Sequence, residues 1–151
     1  MPTNFLWGTR EAGVTLLSTA LDSLANNSGS AFGTEYDNTS GKWLFADLEL
    51  NLASSSLAFT AASYVSIYFV TTADGTNYPK YTSGASYKIA AHYWVADIWI
   101  HPATLSAEAI REVISVPLPS AKFKVVLVNS TGVTLPAASN TLKLYPTPKA
   151  Y

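Results

Sequence analysis

The side chains able to do chemistry are few and far apart. Two histidines, His92 and His101, sit at the two ends of one apolar stretch. Neither falls in a His-Glu-x-x-His, a His-x-His or any zinc spacing, so each reads as structural. Two carboxylate pairs have the i, i+2 spacing that glycoside hydrolysis or calcium binding could use, Glu35 with Asp37 and Asp47 with Glu49. The first pair lies in Glu35-Tyr36-Asp37-Asn38-Thr39-Ser40-Gly41, turn chemistry in which carboxylates cap backbone amides. The second reads as the exposed polar row of a strand. Asp74-Gly75-Thr76-Asn77 is too short for a calcium loop of the EF-hand kind. Gly8 and Gly13 do not join a strand to a helix, so no phosphate cradle forms. Cysteine is absent, which removes thiolate chemistry, disulfides and any reading of redox compartment. No catalytic, cofactor-binding or metal-binding residue is assigned, no cofactor is expected, and the expectation is a protein that is not an enzyme.

Aromatic side chains are the other resource: four tryptophans and nine tyrosines. Exposed rings on a β-sandwich can stack on sugars; buried rings fill cores; interfaces also favour Tyr and Trp. Their number alone leaves all three open.

The elements that must position these groups read as strands. From Leu44 to Leu52 apolar and polar residues alternate without a break. Leu44, Ala46, Leu48, Leu50 and Leu52 point one way, and Phe45, Asp47, Glu49 and Asn51 the other, as in a half-buried strand. Residues 64–70 are β-branched and aromatic on both faces, which predicts a central strand buried on one side and contacted on the other. Residues 71–79, with Asp74-Gly75 and Pro79, form a hairpin-like loop. A short strand is placed at 87–91. Residues 92–101 are a strand with Tyr93, Val95, Asp97 and Trp99 on one face and Trp94, Ala96, Ile98 and Ile100 on the other. A brief helical turn is expected at 104–111 and an extended stretch at 112–116. Residues 122–128 and 133–135, joined by Asn129-Ser130-Thr131-Gly132, read as a hairpin, and 141–145 as a last strand. Residues 14–24 fit a strand or a helix.

Together these predict an all-β fold, a single-domain antiparallel β-sandwich or jelly roll of about eight strands with little helix. It occupies 14–145, between an N-terminal arm at 1–13 and a C-terminal tail at 146–151. The apolar arm, with Phe5, Leu6 and Trp7, either tucks into its own fold or reaches a neighbour. Only 13% of the 151 residues are charged against 48% apolar, and the net charge is −1. That gives no electrostatic footprint for nucleic acid or for an anionic membrane, and no run long enough to span one. The first residues do not have the form of a signal peptide, so synthesis in a cytoplasm without export is expected.

The motif Gly33-Thr34-Glu35-Tyr36-Asp37-Asn38 follows Ser23-Leu24-Ala25-Asn26 and precedes Leu44-Phe45-Ala46-Asp47-Leu48-Glu49-Leu50. With Asp74-Gly75-Thr76-Asn77-Tyr78-Pro79 and the closing Phe123-Lys124-Val125, Asn129-Ser130-Thr131-Gly132-Val133 and Ser139-Asn140-Thr141-Leu142-Lys143-Leu144, it resembles a group of small structural proteins of tailed phages and prophages. The resemblance runs over 14–145, with 81–112 and the arm unmatched. It implies capsid decoration: a cement protein, β-rich and homotrimeric, that binds the major capsid protein on the virion surface after synthesis in the host cytoplasm. Given that role, the residue pattern assigns Phe5, Leu6 and Trp7 of the arm to the major capsid protein, and Tyr64, Tyr68, Tyr93, Trp94 and Trp99 of the two-faced strands to the contact between subunits. The alternatives are a head-fibre, neck or tail component with a carbohydrate-binding sandwich, and a glycoside hydrolase fragment.

Overall fold

A computed structural model describes residues 12–53, 57–101 and 110–147. It contains nine strands: β1 (Val14–Leu17), β2 (Ser28–Gly29), β3 (Tyr36–Asp37), β4 (Phe45–Leu52), β5 (Tyr64–Thr71), β6 (Trp94–Trp99), β7 (Ile110–Pro117), β8 (Lys122–Ser130) and β9 (Thr141–Pro146). They form two antiparallel sheets, one in the order β1-β9-β4-β7 and the other in the order β2-β8-β5-β6, with β3 also on β8. Among the described residues the only helical pieces are 3-10 turns at Thr19–Leu21 and Ala91–Tyr93.

β2 and β3 share one position in the second sheet. Ser28 lies opposite Asn129 and Tyr36 opposite Phe123, and between them the amides of Ser30 and Gly33 reach the carbonyls of Leu127 and Val125. Counted together they leave eight strand positions, and only the β5–β6 connection stays within a sheet. That is the double-sheet jelly roll.

Alternation explains the core. Ala46, Leu48, Leu50 and Leu52 of β4 and Leu142 and Leu144 of β9 are fully buried from one sheet. Val65 and Ile67 of β5 and Phe123, Val125 and Leu127 of β8 meet them from the other. Phe69 and Phe123 stack at 4.5 Å. Each such aliphatic side chain contributes about 1.5–3 kcal/mol by leaving water. Val70, Val126 and Val128 are buried outside this core cluster. Residues 78–93 come back over that side of the sheet: Gly84 bridges to Gly29, and the Tyr81 hydroxyl donates to the Ser30 carbonyl.

Several expectations give way. Leu44 is 61% exposed, because β4 begins one residue later and the Leu44 carbonyl accepts the Leu118 amide at the end of the sandwich. Residues 122–135 form no hairpin: β8 carries β5 on one edge and β2 and β3 on the other, so no edge remains for 133–135. The Val133 carbonyl instead accepts from Asn129 Nδ2 and Thr131 Oγ1, and the Leu135 amide bonds to Leu24. Residues 87–91 hold an isolated bridge, Thr82 to Lys88, rather than a strand. Arg111 is in β7, not a helical turn, and 104–109 lie outside the described residues. Residues 14–24 resolve as β1 followed by a 3-10 turn, and Pro146 still pairs with Ala46 within β9.

Trp94 changes face. Ile67 pairs with Ala96 but Tyr68 pairs with Trp94, so Val95 is a bulged extra residue. Val95 packs toward the core, and Trp94 emerges 51% exposed on the side of Asp97 rather than with Ala96 and Ile98.

Candidate functional site

The β5–β6 pairing sets three outward pairs in a row: Tyr64 with Trp99, Ser66 with Asp97, and Tyr68 with Trp94. Tyr64 and Trp99 lie ring to ring at 5.0 Å, tilted by 40°. Asp97 Oδ1 accepts from the Ser66 hydroxyl at 2.6 Å and from Trp94 Nε1 at 3.0 Å, which orients the carboxylate between the two indoles. Trp99 is 59% exposed. At the covered end, burial, then Tyr87, Asp97 and Tyr64, push the Tyr68 phenol above its ordinary value. Burial and the neighbouring Tyr87 and Tyr68 push Tyr81 up to about 12. These phenols therefore stay neutral at physiological pH.

A second feature lies where the sheets meet. Phe69, His92, Tyr93, Trp94, Pro117 and Leu118 line an open groove of about 380 Å³. The His92 and Tyr93 rings sit 4.1 Å apart on its wall. Beyond it, on the outward side of the first sheet, Phe45 pairs with Pro117, and both Phe45 and Val113 stand more than half exposed. β6 and β7 are edge strands that touch along one flank of the sandwich. All five exposed large hydrophobics among the described residues, Leu44, Phe45, Trp94, Trp99 and Val113, border that flank.

The pairing thus gathers Tyr64, Tyr68, Trp94 and Trp99 on one face and sends Tyr93 to the groove. Phe5, Leu6 and Trp7 lie outside the described residues. The far side of β5, expected to meet a partner, is taken up at the Val70 end by the chain's own 78–93, which leaves the Tyr64 end open.

The carboxylate pairs are engaged by the chain itself. Glu35 and Asp37 flank Lys122 Nζ at 3.6 and 3.8 Å, and Glu35 also accepts the Tyr78 hydroxyl. The Thr39 hydroxyl and amide hold Asp37 below the ordinary carboxylate range. Asp47 accepts from Ser115, and Glu49 faces Arg111 at 3.9 Å and Tyr145 at 3.5 Å. Asp74 caps the amides of Asn77 and Thr76, which depresses its pKa strongly. His92 and His101 remain a strand's length apart, and among the described residues no three His, Asp or Glu side chains gather as a metal site.

The sequence did not single out Asp97 or the groove. An acidic residue three positions after Trp94 and two before Trp99 was the available signal for the first; the second is made by chain segments more than twenty residues apart. Comparison with protein-family models, with curated proteins and with solved structures gives no match.

Proposed function

We propose that the chain is a non-enzymatic structural protein of a tailed-phage virion, a decoration (cement) protein that binds the major capsid protein on the head as a homotrimer. The observation that carries this reading is the apolar flank along β6 and β7. Rows of exposed hydrophobics on a monomer mark association surfaces. Covering Leu44, Phe45 and Val113, which are little more than half exposed, would contribute about 1–2 kcal/mol each before the entropy of association is subtracted. On a lattice that modest gain is multiplied, because each added contact is made at high effective concentration. Binding the intact head but not the broken one then stabilises the head by mass action. The sequence resemblance and the scarcity of charge support the same reading. The jelly roll is used by viral capsid and lectin domains alike, so topology alone does not select between them.

The test is rebinding to heads stripped of their decoration, with light scattering on the free protein. A trimer that rebinds is expected. The double variant Phe45→Ser, Val113→Ser should stay folded, since both side chains face water, and should no longer bind heads. Replacing Phe5, Leu6 and Trp7 by Ala should have the same effect if the arm reaches the capsid. Unchanged binding by the flank variant would overturn the assignment of that surface.

A further inference from the structure

We propose that the outward face of β5 and β6 binds a neutral oligosaccharide, with Trp94 and Trp99 as stacking surfaces and Asp97 as the hydrogen-bond acceptor between them. The site shares strand β6 with the apolar flank, but the two are tested by different residues: Phe45 and Val113 face outward from one sheet, and Trp94, Asp97 and Trp99 from the other.

Three observations choose the ligand. The first is the alternation of ring, carboxylate and ring. Tyr64 and Tyr68 are four residues apart on β5, so the backbone positions of their partners Trp99 and Trp94 stand roughly 13 Å apart along the sheet. That is a platform for consecutive sugar rings. A cage for one quaternary ammonium would need its rings within about 6 Å of a single point. A pyranose suits such a platform because its C–H face is apolar while its rim carries hydroxyl donors.

The second is the state of Asp97. Ser66 and Trp94 both donate to Oδ1, and Oδ2 has no hydrogen bond within the described residues. An apolar protein surface laid over this face would bury that oxygen unpaired, at a cost of several kcal/mol. A hydroxyl-rich ligand satisfies it. Asp97 is in no ion pair of the described residues, so its uncompensated charge repels an anionic ligand.

The third is the bulge at Val95. It breaks the regular ladder on the β6 edge, which opposes addition of a peptide strand or of a second copy edge to edge. The rings are also held before any ligand arrives: Trp94 by its bond to Asp97, Trp99 by Tyr64. Little side-chain entropy remains to be lost on binding.

The probes are cellopentaose, mannopentaose and N-acetylchitopentaose, followed by a neutral-glycan array, with choline as control. Binding is read by saturation-transfer NMR and by tryptophan emission on the full chain. At least one neutral glycan should saturate the emission change. Trp99→Ala should weaken it about tenfold or more, and Trp99→Phe should recover part of the loss. Trp94→Ala and Asp97→Ala should weaken it as well, while Phe45→Ser should not. Trp99 is mostly exposed, so its truncation leaves the core intact and a loss of binding is a loss of contact. Absence of binding across the array, binding indifferent to Trp94 and Trp99, or choline bound in place of sugar would each overturn the proposal.

Discussion

Asn38 is fully buried, takes the Trp43 amide on its oxygen, and donates its two N–H to the carbonyls of Trp43 and Pro119. One amide thus ties the turn before β4 to the turn after β7, beside the apolar flank. Asn38→Ala would leave these groups without partners, and a loss of about 2–3 kcal/mol is expected in urea denaturation, with the slope unchanged. Asn38→Asp should fare no better, since a carboxylate cannot donate to two carbonyls. Tyr81 makes a different kind of prediction. Its hydroxyl bonds to Ser30, and the fold holds the phenol neutral up to about 12 against an ordinary 10.0. The folded pKa is raised, so this contribution is complete below the ordinary value and drains away as pH rises through the folded one. Stability should therefore fall between these two values. Tyr81→Phe should start about 1 kcal/mol lower at neutral pH and decline less steeply.

Gly33 sits at the junction of the divided strand, where its amide reaches Val125 and the next amide, that of Thr34, reaches Leu16. A methyl group there would collide with the Leu16 carbonyl, a backbone atom that cannot swing aside. Gly33→Ala should cost about 1–3 kcal/mol, seen as a lowered Tm with the same final fold. What was legible at this scale followed from burial. Ala46, Leu48, Leu50 and Leu52 alternate because one face of β4 meets the core, so the strand and the sandwich could be read directly. Leu44 escapes the pattern because alternation carries no mark of where a strand loses its neighbours. The 122–135 hairpin was inferred from a local turn signal, whereas pairing was decided by β2, β3 and β5, all remote in sequence. Counting in twos places Trp94 on the opposite face because it assumes an unbroken pleat, and a bulge exists only as a relation between two strands. The aromatic residues of the candidate site were visible as a surplus, and their common face was not.

For the whole molecule, few charges and an apolar flank predict how its attachments respond to salt. With a net charge of −1, the proposed binding to heads should persist or tighten from about 0.1 M to about 1 M NaCl, where screening would release an electrostatically held protein. Release on raising the salt would point to a charged contact in place of the flank. The position of β9 bears on how the molecule is made. It is the last of the nine described strands, yet it lies between β1 and β4. On the ribosome β1 emerges with no partner in its sheet, and β4 waits with one edge open, until residues 141–146 have left the exit tunnel. The first sheet can close only after residues 141–146 have been translated. Neighbouring nascent chains on one message then display matching open edges at close range, a situation that favours pairing between molecules. A product cut short before Thr141 would aggregate rather than fold into a smaller domain.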